Sequence, residues 1–168
     1  MHEGRPRIAT LAPCRPAFCR LFSRLGRLTD LVFTGCGSVI DDAFLVDLSA
    51  CVSRRLKRFE VDWCGSVSDV GVRAVASACP RLVHFTLFKG RCRSAQRDGV
   101  TDRALRTISV KCPRLETLCL TYAHITQKGV AEFAQETSMM VVKLLSNRSA
   151  QLWGPTSALL EKRRQVCL

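Results

Sequence analysis

The sequence predicts an α/β chain of stacked strand–helix units with parallel strands, and three observations carry that reading. A motif recurs every 26 to 33 residues, restarting at Leu28, Leu56, Leu82 and Leu115. Inside each copy the apolar spacing changes from every second residue to helical spacing, so a strand is followed by a helix. Five of the ten cysteines fall on two fixed positions of the motif: Cys36 and Cys64 on one, and Cys51, Cys79 and Cys112 on the other. A unit of this size cannot bury its apolar side alone. Stacking it on copies of itself creates a continuous core and an extended surface, which suits partner binding better than catalysis.

The elements follow in order. Phe18, Leu21, Phe22 and Leu25 repeat the spacing of Val72, Val75, Ala76 and Cys79, which predicts a capping helix over residues 16–26. The first copy holds Leu28, Leu31, Phe33, Cys36, Ile40, Asp41, Asp42, Leu45, Leu48 and Cys51. In the second, Phe59 and Val61 alternate with Arg58, Glu60 and Asp62, the period of a strand with one face buried. Ser68-Asp69 then offers hydroxyl and carboxylate oxygens to the free amides of a starting helix. Pro80 stops that helix, since it cannot continue the hydrogen-bond ladder. The third copy runs through Phe85, Leu87, Val100, Thr101, Asp102, Leu105, Ile108 and Cys112. It carries about seven extra residues within 90–99, with Arg91, Arg93 and Arg97, read as a loop on one face that is either a basic finger or a plain solvated loop. The fourth continues through Leu118, Leu120, Ile125, Thr126, Gly129, Val130 and Phe133. Met139, Val142, Leu144 and Asn147 reproduce the start of a further copy, and residues 155–164 read as a last helix with proline in its first turn. The division is therefore a basic N-terminal segment and capping helix at 1–27, four repeats at 28–138, and a degenerate fifth repeat with a C-terminal cap at 139–168. Every return between strands passes through a helix, so the strands pair in parallel.

The pattern L-x-x-L-x-L-x-x-C, then I/V-T/S-D-x-G-V, then a helix closing on C-P-x-L, resembles the cysteine-containing leucine-rich repeat. That repeat is found in F-box/leucine-rich-repeat proteins and in relatives of the antagonist-of-mitotic-exit proteins. The resemblance covers about residues 28–138. It implies a short leucine-rich-repeat solenoid, a ribonuclease-inhibitor-like arc with parallel strands on the concave side and helices on the convex side. It implies a non-enzymatic protein-interaction module. In the F-box branch that module recognises a substrate for a cullin-type (SCF) ubiquitin ligase and so commits it to degradation. The helical F-box that docks the ligase adaptor is not recognised in this sequence. That leaves a member of the group without an F-box, or a truncated product with little independent function. A cytoplasmic or nuclear location follows from the same resemblance and from cysteines that behave as reduced thiols.

Composition narrows the classes. The chain has 26 Lys+Arg against 14 Asp+Glu, a net charge of +12, which invites acidic partners or reflects a solvated basic surface. No apolar run approaches the roughly 20 residues of a membrane-spanning helix, so no membrane association is expected. The first residues hold Arg5, Arg7, Arg15, Arg20, Arg24 and Arg27 with Glu3 as their single acid. An arginine-rich, acid-poor N-terminus also describes a mitochondrial transit peptide, so a mitochondrial assembly factor is the competing reading. No aromatic-rich motif accompanies the arginines, and a nucleic-acid partner is not expected. No C-x-x-C, zinc spacing or glycine-rich phosphate loop occurs, so neither a metal nor a cofactor is expected. His2, His84 and His124 stand in unrelated settings and build no catalytic set.

The candidate site is the set of strand residues that alternate with the core. Read across the copies, they form rows: Asp30, Arg58, His84 and Thr117; Val32, Glu60, Thr86 and Cys119; Thr34, Asp62, Phe88 and Thr121. The residues expected to meet a protein partner are Arg58, Glu60, Asp62, Trp63, His84, Thr86, Phe88, Thr117 and Thr121. Aromatic residues and arginine dominate affinity at protein interfaces.

Overall fold

A computed structural model describes residues 15–34, 40–62, 67–88, 99–121 and 124–137 and the strand at 141–145. The order is α1 (Arg15–Arg24), β1 (Asp30–Phe33), α2 (Asp42–Cys51), β2 (Arg58–Asp62), α3 (Asp69–Ala78), β3 (His84–Phe88), α4 (Asp102–Lys111), β4 (Thr117–Thr121), α5 (Gln127–Glu136) and β5 (Val141–Leu145). The strands form one parallel sheet in sequence order, β1-β2-β3-β4-β5. Each helix packs on the next in the same order. Strand and helix therefore advance together by one unit per repeat, as the period requires. Cys36, Trp63, Cys64, Cys92, the loop about residue 93, Asn147, the 155–164 helix and Cys167 lie outside the described residues.

The alternation in the strands is the alternation of burial. In β2, Phe59 and Val61 are buried while Arg58 is exposed and Glu60 and Asp62 are half-buried. In β3, Phe85 and Leu87 are buried and Phe88 is exposed. The buried strand residues meet the apolar faces of the helices in one core, including Leu45 and Leu48 of α2, Val72 and Val75 of α3, and Leu105 and Ile108 of α4. Phe59 stacks on Phe85 with ring centroids 5.6 Å apart and meets Phe33 edge-on at 6.3 Å.

The helix starts work differently from the local device expected of Ser-Asp and Thr-Asp. The N-cap side chains of Asp41, Ser68, Thr101 and Thr126 each accept a backbone amide of their own helix. The aspartate that follows the cap instead serves the next unit. Asp42 accepts from the amides of Ser68 (2.8 Å) and Gly71 (2.9 Å) and from the Ser68 hydroxyl. Asp69 accepts from the Thr101 amide (2.7 Å) and hydroxyl (2.6 Å). Asp102 accepts from the Thr126 amide (2.8 Å) and hydroxyl (2.6 Å). Each carboxylate thus fixes the register of one helix start on the next. It also places negative charge beside a helix N-terminus, where the dipole favours it. The close approach explains two repeat glycines. A Cβ on Gly71 would lie 2.6 Å from Asp42 Oδ1, and one on Gly129 would collide with the Asp102 carboxylate.

Phe44 stands where later units have Gly71, Ala104 and Gly129, and the periodic reading overlooked it. It is buried against Phe18 and Phe33, with ring centroids at 6.2 and 5.6 Å. The first repeat fills this place with a ring that packs against α1, so the expected capping helix is anchored by aromatic contacts.

Cys79 and Cys112 cap α3 and α4 and are buried, as small apolar groups at a shared repeat position should be. The Cys112 thiol approaches the Ala76 and Cys79 carbonyls of the preceding unit at 3.6 and 3.8 Å. Burial pushes both thiols up from 9.0 to about 12, with the neighbouring Cys112 adding to the effect at Cys79. Thiolate is the nucleophile in alkylation, so Cys79 and Cys112 are expected to label slowly in the folded chain, and more slowly than the partly exposed Cys19. The neutral thiol is favoured by folding. Its stabilisation is present below pH 9 and is lost as pH rises from about 9 toward 12. Peptide mapping after timed alkylation reads this order directly; early modification of Cys79 or Cys112 would contradict the packing.

Candidate functional site

The pairing register places the expected rows as the sequence ordered them. Asp30 lies opposite Arg58, Arg58 opposite His84, and His84 opposite Thr117. Val32, Glu60, Thr86 and Cys119 form the second row, and Asp62 pairs with Phe88 in the third. In the backbone pairing, Val141, Lys143 and Leu145 of β5 lie opposite Thr117, Cys119 and Thr121. Because side chains alternate along a strand, the row residues of β1 to β4 stand on the sheet face away from the helical core.

The face has distinct parts. Arg58 Nε lies 3.4 Å from Glu60 Oε2, with both side chains partly in solvent, so the pair positions more than it stabilises. His84, Thr86 and Thr117 are half-buried beside them. Phe88 is 38% exposed at the far end of β3. Arg58 and Phe88 stand at opposite ends of their strands, four residues apart in register, or about 13 Å at the usual rise. A partner touching both would have to lie along the strands. Val32, 47% exposed in the middle row, is a further apolar contact point missing from the expected set. Its signal was an apolar residue at an outward strand position.

Thr121 departs from the expectation. It is 5% exposed, and its hydroxyl donates to the Leu87 carbonyl of the adjacent strand at 3.5 Å. The hydroxyl is turned to the β3 backbone. Trp63, placed at the edge of this face by sequence, lies outside the described residues. Cys119 lies opposite Thr86, one row along from the His84–Thr117 pair. Among the described residues no cluster of His, Cys, Asp or Glu has the makings of a metal site, and no helix is long and apolar enough to cross a membrane.

The charge on the face is also informative. Among the described side chains of the rows, Asp30, Glu60 and Asp62 outnumber Arg58, although the chain as a whole is strongly basic. Fixed rows of a charged pair, an imidazole, hydroxyls and exposed apolar groups on a parallel sheet have the chemistry of non-covalent recognition.

The fold and this face define a repeat-built α/β protein with an open strand surface. No family model matches the chain. It is 32% identical over 126 residues to antagonist of mitotic exit network protein 1 of Saccharomyces cerevisiae, covering 75% of this chain and 22% of that protein. It is 33% identical over 140 residues to the protein of the same name from Eremothecium gossypii, covering 82% of this chain and 34% of that one. It is 33% identical over 96 residues to F-box/LRR-repeat protein 12 of Arabidopsis thaliana, covering 57% of this chain and 23% of that protein. These similarities point to a leucine-rich-repeat-related family, and the chain spans between about a fifth and a third of the length of these relatives.

Proposed function

We propose that this chain is a leucine-rich-repeat solenoid that recognises a protein on its concave strand face and catalyses no reaction. One observation carries the reading: the register brings Arg58, Glu60, His84, Thr86, Phe88 and Thr117 together on the sheet face that the core does not use. Side chains on the face opposite the helical core can be chosen for specificity. The similarity to F-box/LRR-repeat protein 12 supports a narrower role, presentation of a bound protein to an SCF-type ubiquitin ligase in the cytoplasm or nucleus. The similarity to proteins named as antagonists of mitotic exit supports a role for such recognition in restraining mitotic exit.

Affinity capture with the full chain, followed by mass spectrometry, tests this. Ligase components among the captured proteins support the narrower role. Mitochondrial complex subunits would replace it with the assembly-factor reading. Once a partner is in hand, Phe88→Ala is expected to weaken it by about 1–2 kcal/mol, the usual loss for an aromatic anchor. Arg58→Glu should weaken it in a way that added salt reduces, because exposed charges are screened. Arg103→Ala and Arg106→Ala on α4 should leave binding nearly unchanged. Loss of binding in the α4 variants alone would move the interface to the helical side.

A further inference from the structure

Among the described residues, positive charge gathers along an edge that the strand face does not include. Each of four successive helix-to-strand connections contains the same four-residue turn: residues 25–28, 53–56, 79–82 and 112–115. Each is closed by a hydrogen bond from the fourth amide to the first carbonyl, at 2.9, 3.1, 3.2 and 3.1 Å. The fourth residue is always leucine; Leu56, Leu82 and Leu115 are buried and Leu28 is packed partly against the core. The third residue is always arginine: Arg27, Arg55, Arg81 and Arg114. All four are exposed.

These arginines stand in register. Each lies three residues before one of the paired positions Asp30, Arg58, His84 and Thr117. The pairing also continues into the turns, where the Lys57 amide donates to the Thr29 carbonyl, the Val83 amide to Lys57, and the Glu116 amide to Val83. Neighbouring strands are about 4.8 Å apart, so the four arginines form a row roughly 15 Å long. Among the described residues none of the four makes an ion pair, whereas Arg58 and Arg106 on other surfaces do. Arg54 and Lys57 add charge beside the row, and Glu116 is the one acid in these four connections. Like charges held at this spacing repel one another, and a bound polyanion relieves that repulsion.

We propose that this turn edge is a second docking surface, which binds an extended acidic segment of a partner protein. Guanidinium groups match carboxylates as two-pronged donors. Same-side carboxylates on an extended peptide recur about every 6.6–6.8 Å, close enough to the row for flexible arginine side chains to pair with each in turn. Nucleic acid fits less well, because sites for single strands combine basic grooves with aromatic stacking platforms. The exposed large apolar side chains of the described residues include one aromatic, Phe88, and it stands at the opposite end of the strands. The acidic character of the strand face keeps such a segment on the turns.

Fluorescence anisotropy with the full chain and a labelled peptide of alternating glutamate and glycine tests the proposal. Saturable binding that weakens with salt is expected. Combined Arg81→Glu and Arg114→Glu should reduce affinity on the order of tenfold or more, since several exposed pairs are lost together. The control is Arg73→Glu with Arg103→Glu, exposed positions on α3 and α4 that change the net charge equally. It should change affinity less than about twofold. Circular dichroism checks that both variants fold. Absence of saturable binding, or equal losses from the two variants, would overturn the proposal. So would tighter binding of an oligothymidylate of matched charge at the same salt, which would make the edge a nucleic-acid surface.

Discussion

Phe59→Ala is expected to destabilise the chain by about 3–5 kcal/mol, a large share of the 5–15 kcal/mol that holds a domain of ordinary stability. Phe59 is fully buried on β2, stacked on Phe85 and edge-on to Phe33. Its ring joins the first, second and third strands, so truncation opens a cavity between three units rather than within one. The neighbours are held by strand pairing and cannot collapse into the gap, which keeps the cavity term large. Leu87→Ala on β3 should cost about 2–5 kcal/mol for the same reason, whereas Thr86→Ala, half-buried on the other face, should cost under about 1 kcal/mol. Urea unfolding followed by circular dichroism measures all three. Equal losses at Leu87 and Thr86 would mean that the alternation is out of phase.

The strand rows were legible because a period of two allows only two assignments of face, and the buried leucines and phenylalanines select one. The helix caps and the buried position of Cys79 and Cys112 were legible because they recur at fixed offsets. Cys51, read into the same position, is only partly buried at the end of α2, and Ser53 opens the matching turn. The destination of Asp42, Asp69 and Asp102 was not. Each carboxylate stands next to a capping residue, so sequence proximity favoured a local bond, while its real acceptor role spans 24 to 32 residues. Phe44 was missed because it breaks the pattern of small residues, and only packing against α1 explains it. Thr121 was assigned to the partner set because alternation gives a side but not the exposure of each position on it. The arginine row was hidden by reading charge as a sum. Its meaning depends on four turns of the same shape being stacked in register, which is visible only once the strands are paired.

The inter-unit carboxylates make the second large prediction. Asp102→Ala removes two hydrogen bonds to Thr126 at the start of α5 and takes a negative charge from its N-terminus. Bonds to a charged acceptor are worth about 1.5–3 kcal/mol, and the helix-dipole contribution adds about 0.3–1 kcal/mol. In a stacked array such a loss is felt first in the neighbouring unit. Hydrogen exchange should therefore quicken in α5 before α2 or α3 is affected. Gly129→Ala should be damaging by a linked route, because its new Cβ would occupy the space of the Asp102 carboxylate. Ala104 occupies the equivalent place in the preceding unit, where Asp69 still bonds the Thr101 amide and hydroxyl. Backbone and device both accept a Cβ there, and the obstacle at Gly129 is where the Asp102 carboxylate itself lies. The two substitutions should then be strongly coupled. In the Asp102→Ala background, Gly129→Ala should cost little or become favourable through its better helix propensity, with a coupling energy of about 1–3 kcal/mol. A double-mutant cycle on unfolding free energies measures this. Simple additivity would show that Asp102 and Gly129 do not share the space assigned to them, and that the carboxylate is not what sets one helix start upon the next.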